Sequence, residues 1–260
     1  FKKLKMFLHA ESLPGEIVLD DDQMVGFIRF GNDFTQNFYQ VEIPLKVTIP
    51  SSTSGSDCSA LSAEAVWPEE NNIDLSLALL TQLKIQAMSI DPNTLPLKDN
   101  GIYYPDNDPN KPEGDGNSKL KLGIRGNPNF GLVRTLMVGL KNGTDHQRVK
   151  GEVWFNELRI ADMDNQGGMA AVLNVDSNLA DFATVSATGK MSTIGFGALE
   201  QGPNERSRED TKQYNIVTNL NLGKLLPPKW GINLPFNYAV GEEMITPEYD
   251  PFNEDIKLNQ

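Results

Sequence analysis

The residue types that most often perform catalysis or bind metals are few and widely spaced in this sequence. In 260 residues there are two histidines, His9 and His146, and one cysteine, Cys58. His9 falls on the polar side of an alternating stretch, and Cys58 lies in a Ser-rich segment without a predictable base. Neither a two-histidine zinc site nor a thiolate nucleophile is therefore favoured. The sequence also lacks a nucleophile elbow, a phosphate-binding loop and a dinucleotide-binding fingerprint. We predict a protein that is not an enzyme and needs no cofactor.

One loop carries a series of oxygen ligands. Calcium takes hard oxygen donors at close spacing, and the loop 106–116 offers five of them: Asp106, Asp108, Asn110, Glu113 and Asp115. Lys111 stands where an EF-hand needs glycine, and no glutamate follows at the twelfth position. A solvated surface loop is the preferred interpretation, and a calcium site is the weaker alternative.

Composition limits the classes of partner. The formal net charge of −12 argues against nucleic acid, because neutralising phosphates needs a basic surface. No apolar run reaches the roughly 18 residues of a transmembrane helix, but strands that cross a membrane leave no such run. Because the chain begins at Phe1 inside an apparent strand, we expect it to be a piece of a larger protein.

Residues 1–162 are predicted to form an antiparallel β-sandwich with one helix. The clearest strand is Phe38–Ile49, with Tyr39, Val41 and Ile43 on the inner side and Gln40 and Glu42 on the polar side. The helix is predicted over Asp74–Met88, with Asn72 as its N-cap. A polar, Gly-ended hinge follows, and the domain boundary is expected there. The other predicted strands of this domain are 1–10, 25–30, 119–125, 133–140 and 151–160.

Two later stretches, Tyr214–Leu222 and Trp230–Val240, alternate apolar with small or polar residues. A tilted strand of roughly 9–11 residues spans a bilayer, and the repeated Asn and Gly favour a water-filled lumen over a solvated sheet. Two further strands are predicted at 169–178 and 182–199. Together with the two alternating stretches, they predict that residues 163–260 form four antiparallel strands in the incomplete wall of a large transmembrane β-barrel. The predicted lipid-facing residues are Tyr214, Ile216, Leu220, Leu222, Trp230, Ile232, Leu234, Phe236, Tyr238 and Val240. The predicted lumen-facing residues are Asn215, Asn219, Asn221, Asn233 and Asn237. A half-buried sheet of a soluble sandwich gives the same alternation, so this second interpretation is kept as an alternative.

Several sequence strings resemble the SprA (also called Sov) family over nearly the whole chain. The strings are Trp-Pro-Glu-Glu-Asn at 67–71, Ile-Arg-Gly-Asn-Pro-Asn at 124–129, Trp-Phe-Asn-Glu-Leu-Arg at 154–159, Asn-Leu-Ala-Asp-Phe-Ala at 178–183 and Leu-Pro-Pro-Lys-Trp-Gly at 226–231. The resemblance implies a fragment of the outer-membrane translocon of the Bacteroidetes type IX secretion system, which also serves gliding motility. It implies a very large barrel with a protein-conducting lumen. The implied partners are the outer membrane, the remainder of the barrel chain, secreted substrate proteins, and accessory proteins that close the lateral opening and plug the pore.

The first domain also resembles galactose-binding-like jelly rolls in its first and last strands. Sugar-binding members often carry an Asp before the Asn of the closing strand, whereas Phe155 precedes Asn156 in this sequence. This departure argues against an inherited calcium or sugar site. The alternative function that the fold resemblance leaves open is a secreted or cell-surface jelly-roll module that binds glycans and forms no channel. Loop lengths and charges between the later strands lead us to expect the protein in the cell outer membrane, with the sandwich exposed at the surface.

Overall fold

Antiparallel β-strands are the main secondary structure and form three sheets, which confirms the all-β prediction. The computed structural model describes residues 1–48, 62–97, 100–105, 119–143 and 148–258. The chain separates into two units, Phe1–Met163 and Asp164–Gln260. Cys58, His146 and the loop 106–116 with its proposed calcium ligands lie outside the described residues.

In its described residues the first unit contains two sheets and two α-helices. Its strands are β1 (Lys3–Ser12), β2 (Met24–Gly31), β3 (Phe38–Pro44), β4 (Ile73–Ser76), β5 (Lys121–Arg125), β6 (Thr135–Asn142) and β7 (Gly151–Ala161). One sheet has the strand order β4-β1-β7 and the other β5-β3-β2-β6. The helices are α1 (Ala63–Val66) and α2 (Leu77–Ser89).

The two sheets share one apolar core. Every second residue of β1 is buried, and its apolar side chains form one cluster with Ile28 and Phe30 of β2 and with Tyr39, Val41 and Ile43 of β3. A Cβ atom placed on Gly26 of β2 would lie 2.6 Å from Cδ2 of Leu8 in β1, so the sheets approach closely at this glycine. The principal core residues are Leu4, Met6, Leu8, Ala10, Ile28, Phe30, Tyr39, Val41 and Ile43.

The predicted start of the main helix was wrong. Residues 73–76 form β4, in which Ile73 and Leu75 lie opposite Met6 and Leu4 of β1. Helix α2 therefore begins only at Leu77, and Asn72 ends a short 3-10 helix instead of capping α2. The pairing with β1 takes the first apolar residues of the predicted helix, which local propensity does not reveal.

Strand β3 is also shorter than predicted, ending at Pro44 rather than Ile49. It is an inner strand, but its pairing with β5 stops at Glu42. Pro44 pairs only with Val25 of β2, so its missing N–H is not needed by a second neighbour.

The second unit is a single open sheet of four strands in the described residues. Its strands are β8 (Ala170–Leu179), β9 (Ala183–Ser192), β10 (Glu209–Asn221) and β11 (Pro235–Pro247), in the spatial order β11-β10-β9-β8. The predicted strand bounds differ most at β11, which begins at Pro235 and not at Trp230. The strand begins later than predicted because Pro228–Trp230 form a 3-10 turn and Gly231 has a left-handed backbone conformation. It ends later, at Pro247, because it also pairs with the first half of β10.

Candidate functional site: a sheet with one apolar and one polar face

The register of the second unit places apolar side chains from all four strands on one side. Directly opposed residues of antiparallel strands share a face. Ile216 lies opposite Ala187 in β9 and Val240 in β11, and Ala187 in turn lies opposite Val175 in β8. We call this side the apolar face. Its residues are Ala171, Leu173, Val175, Ser177, Leu179, Ala183, Val185, Ala187, Gly189, Met191, Lys212, Tyr214, Ile216, Thr218, Leu220, Phe236, Tyr238, Val240, Glu242 and Met244.

The other side, the polar face, is rich in Asn, Ser and Thr. Asn219 lies opposite Asn237, and its Nδ2 donates to Oγ1 of Thr184 at 3.3 Å. Ser186 Oγ donates to Asp176 Oδ1 at 2.6 Å. Apolar residues break the pattern at Ala170, Val172, Val217, Ala239 and Ile245, and at the prolines Pro235 and Pro247 that begin and end β11. The main polar residues are Asn174, Asp176, Asn178, Thr184, Ser186, Thr188, Lys190, Gln213, Asn215, Asn219, Asn221, Asn237 and Glu243.

Large side chains of the apolar face are exposed. Leu173 is 67% exposed, Tyr238 53% and Phe236 47%. Contiguous apolar surface of this extent is rare on proteins that face only water, where it marks a contact with another protein or with a membrane. The face therefore combines high exposure with an apolar composition, which distinguishes it from the opposite face of the same sheet.

Charged and amphipathic groups lie at both ends of the apolar face, measured along the strands. At the end near residues 193–208, Tyr214 donates its hydroxyl to Glu242 Oε2 at 3.0 Å, and Lys212 follows. At the opposite end, Lys224 pairs with Asp181 at 3.6 Å. The apolar band is therefore bounded at both ends along the strands.

The predicted lipid-facing set divides into two groups in the structure. Six of these residues share the apolar face by register: Tyr214, Ile216, Leu220, Phe236, Tyr238 and Val240. The other four lie between β10 and β11: Leu222 begins a 3-10 helix, Trp230 ends another, and Ile232 and Leu234 precede β11. The backbone N–H of Leu222 still donates to the carbonyl of Leu234 at 2.9 Å.

The predicted lumen-facing asparagines divide in a similar way. Asn215, Asn219 and Asn237 lie on the polar face, opposite Gly241 or one another. Asn221 lies on the same face at the end of β10, opposite Pro235, whereas Asn233 lies outside the strands and precedes β11. Sequence reasoning missed the part that β8 and β9 play in both faces. Their small residues, such as Ala183 and Gly189, weaken the contrast in hydropathy, and only the cross-strand register reveals it.

A second polar constellation is buried in the first unit. The polar side of β3 is covered by residues 100–105, so Gln40 and Glu42 are only 3% and 2% exposed. Tyr104 donates its hydroxyl to Glu42 Oε1 at 2.6 Å, Gln40 Nε2 donates to the same oxygen at 2.6 Å, and Lys141 pairs with Oε2. Burial first, and the hydrogen bond to Glu42 second, raise the pKa of Tyr104 above its ordinary value. Because each of these groups has a partner, the cluster fastens residues 100–105 to the sheet.

His9 is buried rather than exposed on a polar face. It is 2% exposed, and its Nδ1–H donates to the carbonyl of Val66 at 2.5 Å. The rings of Trp67 and Trp154 lie 5.7 and 5.1 Å from the imidazole centroid. These contacts give His9 a packing role that joins residues 66 and 67 to β1.

Two negative findings concern the described residues only. No group of three or more His, Cys, Asp or Glu side chains within the described ranges is arranged to hold a metal ion. None of the helices in the described part of the chain combines the length and the apolar composition needed to cross a membrane.

Comparison with known proteins places the whole chain in one group. A family model described as motility related/secretion protein matches residues 1–260. No curated protein matches the sequence.

Proposed function

Since the chain belongs to the SprA_N family of motility-related and secretion proteins, we propose that it forms a segment of an outer-membrane channel for secreted proteins. Membership of a secretion-related family fits a location in the cell envelope. The finer assignment, to the translocon of type IX secretion and gliding motility, is part of the proposal. So is exposure of the first unit at the cell surface. The proposed role contains no catalytic step.

The observation that carries the proposal is the opposite character of the two faces of the β8–β11 sheet. Removing a Leu or Phe side chain from water is worth about 1.5–3 kcal/mol, so the exposed apolar face strongly favours an apolar neighbour. In our proposal that neighbour is the hydrocarbon of the outer membrane. The charged ends of the face then lie at the two interfaces.

The polar face is the lumen wall in this proposal. Asn215, Asn219 and Asn237 offer hydrogen bonds without a fixed charge. Such a surface exchanges water for a passing polypeptide without binding it tightly. Lys190 and Glu243 lie toward one end of the strands, whereas Asp176, which accepts a hydrogen bond from Ser186, is a charged residue near the middle of this face.

The free edges of the sheet indicate what else the channel needs. Each of β8 and β11 has one neighbour among the described residues, and lipid does not tolerate an open strand edge. The wall must therefore continue on both sides, and we propose that other strands of the full protein supply it. The further proposed partners are accessory proteins that close the lateral opening and plug the pore, together with the secreted substrate proteins.

Site-specific photo-crosslinking in cells that express the full protein tests the channel role. A benzoylphenylalanine at position 219 or 237 faces the proposed lumen, and one at position 216 faces the proposed lipid. We expect crosslinks to secreted proteins in transit from 219 and 237, and crosslinks to lipid but not to secreted proteins from 216. Failure of both polar-face positions to crosslink any secreted protein during active secretion would contradict the proposal.

Solubility separates the channel from the glycan-binding alternative. The channel proposal predicts that residues 1–162 are soluble alone, whereas residues 163–260 need detergent. A monomeric 260-residue chain that stays soluble without detergent and binds glycans would instead support the surface module.

A further inference from the structure

The apolar face contains a groove at the end near residues 193–208. Its floor is Gly189, which lies between Leu173 of β8 and Tyr214 of β10 in one cross-strand row. No atom lies within 4 Å of the place that a Cβ atom on Gly189 would occupy, so the missing side chain leaves open space. The groove has a volume of about 480 Å³, and Met191 and Met244 form its far wall.

The walls of the groove are apolar and adaptable. Leu173 is 67% exposed, Met244 56% and Met191 40%, so their side chains are available to a ligand. Methionine is flexible and polarisable and adapts to irregular apolar ligands. A volume of this size falls within the range of sites that take a small-molecule ligand.

A cation lies at the mouth of the groove. Lys212 lies directly opposite Met191 and Met244, on the apolar face, and is exposed. It has no ion pair or hydrogen-bond partner among the described residues. Glu242, the carboxylate in the lining, is already engaged by the hydroxyl of Tyr214 at 3.0 Å. Lys190 also borders the groove, but its side chain belongs to the polar face, so the charged groups on the groove's own face are Lys212 and a carboxylate that Tyr214 already engages.

We propose that this groove binds one phospholipid, with an acyl chain over Gly189 and the phosphate at Lys212. An apolar trough that ends at an unpaired ammonium complements a molecule with a long hydrocarbon tail and an anionic head. Lysine side chains near a membrane interface extend toward headgroups in this way. The inference rests on the proposed function, because the face must meet lipid before one lipid can be held there.

The test uses the full-length protein in lipid nanodiscs with two probes. One is phosphatidylglycerol with a photoreactive group in an acyl chain, and the other is a diacylglycerol with the same photoreactive chain but no phosphate. Adducts are mapped by mass spectrometry at the groove (Leu173 and Met244) and at the far end of the same face (Leu220 and Phe236).

Three variants isolate the groove. Gly189→Leu fills the open space, and Lys212→Gln removes the charge at its mouth. Ala187→Leu adds the same bulk to the apolar face outside the groove, opposite Ile216, and is the matched control. Heat-modifiability of each variant establishes that the barrel is folded.

We expect the phosphate-bearing probe to label the groove about tenfold more than the diacylglycerol does, as a charge-assisted hydrogen bond allows. Gly189→Leu should reduce groove labelling about tenfold. Lys212→Gln should abolish the preference for phosphate, and Ala187→Leu should leave both results unchanged. If both ends of the face are labelled and neither Gly189→Leu nor Lys212→Gln changes the labelling, the proposed lipid site in the groove is wrong. The assignment of the apolar face to lipid would not be affected by that result. Absence of labelling at both ends in the wild-type protein would overturn the proposed function itself.

Discussion

Replacing Ile216 with arginine should destabilise the protein in its membrane more than most single changes do. Ile216 lies on the apolar face, four positions from Lys212 at one end and four from Leu220 at the other. At about 3.3 Å per residue it is roughly 13 Å from either end along the strand. With a strand tilt of about 40°, this becomes roughly 10 Å of depth, close to the middle of an apolar band about 25 Å tall.

An arginine at that depth on the lipid side of a barrel costs about 2–4 kcal/mol. The matched control is Asn219→Arg, three residues along the same strand but on the polar face, beside Asn237 and Thr184. In a water-filled lumen this arginine keeps its hydration, so its cost should be within about 0.5 kcal/mol of zero.

The measurement is reversible urea unfolding of the full-length protein in lipid, supported by heat-modifiability on gels. We expect Ile216→Arg to lower the unfolding free energy by the amount given, and Asn219→Arg to leave it nearly unchanged. Equal effects of the two variants would refute the assignment of the faces. So would a negligible effect of Ile216→Arg, because that is the behaviour of an exposed side chain in water.

Three further predictions concern other parts of the structure. Leu234→Arg should cost only about 0–1 kcal/mol in the same urea assay, because Leu234 lies outside β11 near the end of the band, where the cost of a charge falls off. Tyr104→Phe should destabilise the first unit by about 1.5–3 kcal/mol, since it removes a buried donor to Glu42, and hydrogen exchange of residues 100–105 should report it. Because the pKa of Tyr104 is raised in the folded protein, its hydroxyl contributes fully to the free energy of unfolding below pH 10.0, the ordinary pKa of tyrosine. The difference in unfolding free energy between wild type and Tyr104→Phe should therefore shrink as the pH rises above that value. Gly26→Val should cost about 1–3 kcal/mol in thermal unfolding, because its side chain would collide with the fully buried Leu8.

Strict alternation was sufficient to predict the centre of the candidate site. Ile216, Leu220, Phe236 and Tyr238 stand two apart within their strands, and a period of two fixes one face without any knowledge of the neighbours. The end of the pattern was harder to predict. Trp230 continues the alternation in sequence, but the prolines before it and the positive φ of Gly231 hold a turn there instead.

Features that depend on distant parts of the chain were not predictable from local pattern. Gln40 and Glu42 alternate with apolar residues as a solvated face does, but residues 100–105 cover them. Residues 73–76 look like the first turn of a helix and are drawn into β4 by β1. In both cases a tertiary partner overrides the local preference.

The central claim is that neighbouring residues of β10 alternate between hydrocarbon and water. Nitroxide scanning of positions 211–221 in the full-length protein, in lipid and with Cys58 and every other native cysteine replaced by serine, measures this directly. Collision rates with oxygen report hydrocarbon, and those with a water-soluble nickel chelate report water. We predict oxygen maxima at 214, 216, 218 and 220 and nickel maxima at 213, 215, 217, 219 and 221. A uniform profile, or nickel access at the even positions equal to that at the odd ones, would contradict the account.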